Sequence, residues 1–143
     1  PEKFRNYSNF LITGDIFPGK GPIGGIHAAM KASSGSALFV CAGDMPFLDS
    51  NLIINQAVHY LSGDFTALVP EIDKLQEPLH SIYSNSTLEI LEDYLRESEN
   101  PSVREFCSII RASSYLPADS DLAKKAFINI NSPDDLGRLA LFS

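Results

Sequence analysis

Asp44 closes the apolar run Leu38-Phe39-Val40-Cys41-Ala42-Gly43 and has no lysine or arginine close to it in the chain. A carboxylate delivered by a buried strand without a local cation is suited to a divalent ion, with phosphate oxygens and water completing the shell. The plain alternative is a carboxylate that only caps the turn at Met45-Pro46. Metal binding is the stronger reading, because ligands of α/β sheets sit beyond the strand ends. A second stretch, Gly14 to Ile26 (GDIFPGKGPIGGI), raises a nucleotide question. Gly19 to Gly24 fits G-x-G-x-x-G, and Asp44 lies twenty positions beyond Gly24, the outline of a dinucleotide-binding fingerprint. That reading fails on two counts. Asp15-Ile16-Phe17-Pro18 separates the preceding strand from the first glycine, and Pro22 removes a backbone N–H inside the loop. Gly24-Gly25 at the mouth of a helix suits another use: backbone without Cβ lets a purine or a phosphate approach closely.

Other polar residues carry two readings each. Asp15 is as well explained as a turn residue as a ligand contact. Asn131 is either a substrate contact or a residue that satisfies the start of the last helix. Glu77 is open between ligand binding and capping a strand. Lys20 reads as a solvated loop charge, and the acid-rich segment 86–99 as a solvated helix face.

These residues belong to a chain of 143 residues with 44% hydrophobic and 20% charged residues, an ordinary globular composition and one domain, 1–143. No apolar run is long enough for a membrane span, and PEKFRNYSNF has no signal-peptide character. Net charge is −7 with no basic run, which argues against nucleic acid as partner. Cys41 and Cys107 read as buried reduced thiols of a cytoplasmic protein. His27, His59 and His80 share no metal-ligand spacing, so zinc is not expected.

The elements that position the candidates follow from pattern. Strands are expected at 10–13 (FLIT), 37–41 (ALFVC, central and buried on both faces), 65–69 (FTALV, ended by Pro70), 79–83 (LHSIY) and 126–130 (AFINI). Helices are expected over 26–33, after Asp49 or Ser50, over 86–96 with Ser86 and Glu89 as a capping box, from Pro101, and after Ser132. This alternation predicts a three-layer α/β domain with a mostly parallel sheet. Asp15, Asp44 and Asn131 then lie at or near strand ends on one rim.

DIFPGKGPIGGI at 15–26, LFVCAGDMPFL at 38–48, EPLHSIY at 77–83, SVREF at 102–106 and FININSPDDL at 127–136 occur in that order. Together they resemble the molybdenum cofactor guanylyltransferases, the molybdopterin-guanine dinucleotide biosynthesis protein A family. The resemblance implies a Rossmann-like nucleotidyltransferase fold. It implies GMP transfer from GTP to molybdopterin with Mg²⁺ and release of pyrophosphate. It places Asp44 at the family's metal-binding and catalytic aspartate, and Gly21 and Gly25, with Gly24 between them, in a loop that approaches guanine. Asp15 matches the aspartate before that loop. Asn129 and Asn131 match an N-x-N motif near the pterin and phosphate. Molybdoenzymes or other cofactor-biosynthesis proteins are the implied protein partners.

The family pattern opens with a strand and a glycine-rich triphosphate loop, L-x-G-G-x-S-x-R-M-G, that has no match in this sequence. About fifty residues of a typical member are therefore expected to be missing. Ser102 stands where some members carry a base, with Arg104 two positions on. The alternatives are the related cytidylyltransferase, disfavoured by Asp44-Met45-Pro46 and Asn129-Ile130-Asn131, and a non-catalytic pterin- or partner-binding module lacking the triphosphate loop.

Overall fold

The computed structural model describes residues 10–132 and 134–135. Among the described residues five strands and five α-helices form three layers: β1 (Ala37–Cys41), β2 (Ala67–Ile72), β3 (Leu75–Gln76), β4 (His80–Ser84) and β5 (Ser113–Tyr115), with α1 (Pro22–Ala32), α2 (Ser50–Leu61), α3 (Leu88–Glu97), α4 (Val103–Ile109) and α5 (Ser120–Ala126). On one face of the sheet, Ile23, Ile26 and Met30 of α1, Leu91 and Leu95 of α3 and Phe106 of α4 pack with Ala67, Val69 and Tyr83. On the other, Leu52 of α2 packs with Ala123 and Ala126 of α5. Among the described residues no helix is long and apolar enough to cross a membrane.

β1, β2 and β5 run in one direction, as an α/β order implies. β4 lies between β1 and β2 in the opposite sense, and β3 returns antiparallel from β2. Among the described pairings only β2 with β5 is parallel, so the expectation of mostly parallel neighbours is corrected. The reason is the short connection after β2, which allows a hairpin but not a crossover. Asp73 and Lys74, at φ of 52° and 66°, make its turn, the left-handed pair that a two-residue hairpin requires.

The hairpin is irregular. Glu71 faces Gln76, yet Leu68 faces Ile82: three steps back along β2 match six along the returning strand. Glu77, Pro78 and Leu79 are the surplus, expelled as a bulge. Pro70 lies opposite and does not end β2, contrary to the sequence expectation. Its carbonyl accepts from the Glu77 N–H at 2.9 Å, and N–H and C=O of one extended residue point the same way. The hydrogen that proline lacks would therefore have met the bulge, where no ladder acceptor awaits it.

Other expectations change as well. FLIT forms no strand, and Phe10 and Leu11 are exposed. AFINI is the end of α5 followed by extended chain, because a five-residue apolar run reads alike as strand or buried helix end. Ser86 caps nothing: Ser84 caps a single 3₁₀ turn at Asn85–Thr87, from which α3 proceeds. β1 is half-buried with one neighbouring strand among the described residues, which leaves Cys41 exposed, whereas Cys107 is buried as expected. Asp49 caps α2 as expected, through Leu52 N–H, whereas α4 is capped by Ser102 through Glu105 N–H and begins at Val103 rather than at Pro101. α3 is not wholly solvated either. Its Glu92 holds buried His27 at 3.1 Å and Lys31 at 2.9 Å, tying α1 to α3.

His80 is buried between Phe39 and Phe127, and neither ring nitrogen has a partner among the described residues. Burial pushes its pKa below the ordinary value. The unfolded chain therefore takes up a proton that the folded one resists, so stability present above about pH 6.5 declines as pH falls through that value. Replacing His80 by Phe keeps the ring contacts and removes the titration. Chemical denaturation of His80→Phe from pH 7.5 to 5 is expected to show a shallower loss of stability than wild type.

Candidate functional site

A groove of about 630 Å³ runs along the outer edge of β1, lined by α1 residues Pro22, Gly25 and Ala29, by Leu38 to Asp44, and by Leu79 and Asn129. Its shape follows from small residues. Gly25 and Ala29 keep that face of α1 low beside Leu38 to Asp44. Asp44 stands at its end, on the turn after β1. The turn is fixed by backbone: Met45 N–H to Ala42 O at 3.4 Å, and Ile130 N–H to Asp44 O at 2.9 Å. That second bond carries the 127–130 segment, and with it Asn129, to the groove.

The Asp44 side chain accepts no hydrogen bond and forms no ion pair among the described residues. It is not the cap of the Met45-Pro46 turn. No group of three or more His, Cys, Asp or Glu capable of holding a metal occurs among the described residues. A lone carboxylate does not retain a bare ion, but it does fit Mg²⁺ whose remaining ligands are phosphate oxygens and water.

The glycine loop has its own logic. Gly19 and Gly21 have φ of 77° and 69°, which only glycine adopts without strain, and α1 begins at Pro22 directly after Gly21. Gly24 is therefore the third residue of α1, inside its first turn. A Cβ on buried Gly24 would come within 3.1 Å of the Phe17 carbonyl oxygen and 3.5 Å of an Asp15 carboxylate oxygen. Space at Gly24 is thus filled by the loop itself, with Asp15 folded back on the positive start of α1. On exposed Gly25 a Cβ would meet only Asp15, at 3.9 Å, and Gly25 lines the groove.

The sequence candidates therefore divide. Gly25, Asp44 and Asn129 share the groove. Gly21 lines a neighbouring cavity of about 400 Å³. Asp15 and Gly24 support the loop. Asn131 is exposed, and its backbone N–H is bonded to Asp135 Oδ2 at 3.0 Å, the helix-start reading; the rest of the expected last helix, Pro133 and the residues beyond Asp135, lies outside the described residues. Lys20 is not a free solvated charge, for its Nζ donates to the Ser98 carbonyl at 2.7 Å and pins the loop to the end of α3. Glu77 is the residue that sequence reasoning left undecided. Its available signal was Pro78 next to it and Pro70 within the preceding strand, two prolines that disturb a ladder.

A family model described as "MobA-like NTP transferase domain" matches residues 2–113. A protein of Pyrococcus furiosus named "Probable molybdenum cofactor guanylyltransferase" is 33% identical over 146 residues, covering 99% of this chain and 70% of its own length. One of Clostridium perfringens with the same name is 29% identical, covering 94% and 69%. Among solved structures, molybdopterin-guanine dinucleotide biosynthesis protein A of Archaeoglobus fulgidus superposes with a TM-score of 0.74 at 28% identity, over 96% of this chain and 70% of that one. An Aquifex aeolicus protein shares the fold at a TM-score of 0.63 and 16% identity; the match covers 78% of this chain and 56% of that protein.

The two adjacent glycines give opposite expectations. Gly24→Ala forces the Phe17–Asp15 segment outward and is expected to cost about 1–3 kcal/mol, read by thermal melting. Gly25→Ala is expected to melt like wild type while weakening nucleotide binding through the methyl group it puts into the groove. Equal stability loss in both would contradict this division.

Proposed function

Because the chain belongs to the MobA-like NTP transferase domain family, we propose that it transfers GMP from GTP to the terminal phosphate of molybdopterin and releases pyrophosphate. The observation that carries this reading is the Asp44 carboxylate, unpartnered among the described residues, in the groove that Gly25 and Asn129 also line. Small residues along α1 leave room for a flat base, and the carboxylate stands where a charge on phosphate would need an ion between them. The names of the relatives point to the same chemistry.

The reaction makes few covalent demands on the protein. An ionised phosphate oxygen of the acceptor attacks the α-phosphorus of the nucleotide in line. The bond from that phosphorus to the β-phosphate oxygen breaks, and its electron pair leaves with pyrophosphate. The attacking oxygen carries no proton at neutral pH, so no general base is required. The barrier is alignment and the meeting of two anions, in a protein whose own net charge is −7. Mg²⁺ held by Asp44 would supply charge neutralisation and a fixed orientation of the phosphates. Gly25 supplies open backbone for the base, and Asn129 an amide in the groove lining.

Asp44→Asn removes the charge without changing size. It is expected to lower guanylyl transfer about a hundredfold or more and to weaken Mg-GTP binding, with folding unchanged. The measurement is pyrophosphate release with molybdopterin as acceptor, GTP and CTP in parallel. Faster use of CTP moves the activity to cytidylyl transfer. Pterin binding with no nucleotide binding would make the protein a non-catalytic module.

A further inference from the structure

We propose that Glu77 is the reading carboxylate of a second ligand pocket, one that takes a fused aromatic ring presenting a ring N–H beside an exocyclic amino group. This rests on the transfer reading above, whose two substrates, guanine nucleotide and pterin, both carry that edge. The pocket is the cavity of about 400 Å³ on the other side of Pro22 and Leu79 from the β1 groove; both residues line both spaces. A ring held there lies next to a nucleotide in the groove, as a two-substrate transfer needs.

Glu77 is held in place more firmly than a loop residue. The bulge removes it from the ladder, and hydrogen bonds then fix it on every side. Its N–H donates to Pro70 O at 2.9 Å. Its carbonyl accepts from His80 N–H at 3.2 Å and from the Ser81 hydroxyl at 2.8 Å. Leu79 N–H donates to its Oε1 at 3.1 Å, and the Tyr83 hydroxyl donates to Pro78 O at 2.8 Å. Oε2 is left without a partner among the described residues, and no cation lies within ion-pair distance. A carboxylate that only capped Leu79 would need one oxygen. The second, on a half-buried side chain, is left free to accept from a ligand donor. Burial, with Asp44 nearby, raises the Glu77 pKa, partly opposed by the Leu79 bond and Arg104, the mark of a carboxylate short of donors.

The walls suit the ligand. Pro22, Ile23, Pro78 and Val103 offer apolar surface to the ring faces, and Lys20 and Arg104 provide positive charge for a phosphate on the same molecule. Glu77 also borders a smaller cavity of about 300 Å³. There Lys124 is already paired with Asp73 at 2.9 Å, and neither Pro22 nor Leu79 lines it, so it has no contact with the nucleotide groove.

The test is a binding titration of the full chain, wild type and Glu77→Gln. The glutamine keeps an acceptor for Leu79 N–H and loses the charge; matched melting curves check the bulge. The probes are 6-hydroxymethylpterin, followed by its own fluorescence, and Mg-GTP against Mg-ITP, which lacks the amino group. The expected result is a tenfold to hundredfold loss for one ring. If pterin binding falls and GTP and ITP are unaffected, the acceptor occupies the pocket. If the preference for GTP over ITP collapses and pterin is unaffected, the donor base does. Unchanged pterin binding together with an unchanged GTP-to-ITP ratio overturns the assignment. Loss of Mg-GTP binding in Asp44→Asn alongside that result would leave the transfer reading standing. A wild-type chain that binds neither ring overturns both.

Discussion

Pro70 has no amide hydrogen to give to the strand beside it, and the returning chain answers by leaving the ladder for three residues. Much of the site depends on that gap. Glu77 N–H still meets the Pro70 carbonyl, but the Glu77 carbonyl is released from β2 and takes His80 and Ser81 instead. The bend so made sends Leu79 to the wall between two cavities and points a carboxylate into one of them. Ala42 N–H then donates to Leu79 O at 3.0 Å, which ties the start of the Asp44 turn to the same bend. Two carboxylates, Asp44 and Glu77, are thus placed by one irregularity in one hairpin.

The glycine loop works by a second constraint. Left-handed backbone at Gly19 and Gly21 turns the chain into α1, and Lys20 between them reaches Ser98. Gly24 makes room for the loop's own Phe17 and Asp15, and Gly25 leaves room for something else. Adjacent glycines in one motif therefore differ: one is filled by the loop itself and the other opens onto the groove.

The start of α2 was legible because a cap is local chemistry, Asp49 bonding where its side chain indicates, whereas α4 is capped by Ser102 and not opened by Pro101. The place of Asp44 in the groove was legible because a residue just after a strand lies beyond the strand end, where α/β crevices open. The strands at 10–13 and 126–130 were misread because short apolar runs carry no period that separates strand from helix end. β5 and α5 were missed, since Ser113–Tyr115 and Ser120–Ala126 are too short and too mixed to show a pattern. Pro70 was taken as a strand end because the residue that excuses it, Glu77, lies seven positions away and becomes its neighbour only through the hairpin. Local sequence does not show a partner that folding supplies.

The surplus in that hairpin is odd. On an uninterrupted strand, Gln76 and Ile82, six apart, would share a side of the sheet; here they pair with Glu71 and Leu68, three apart, and point to opposite sides. With one residue fewer between them, plain alternation along the strand would already put Gln76 and Ile82 on the opposite sides their partners require; the odd surplus is what obliges the chain to break its pleat at 77–79. The odd surplus and the bent backbone at this corner therefore belong together, a constraint set by pleat geometry rather than by chemistry.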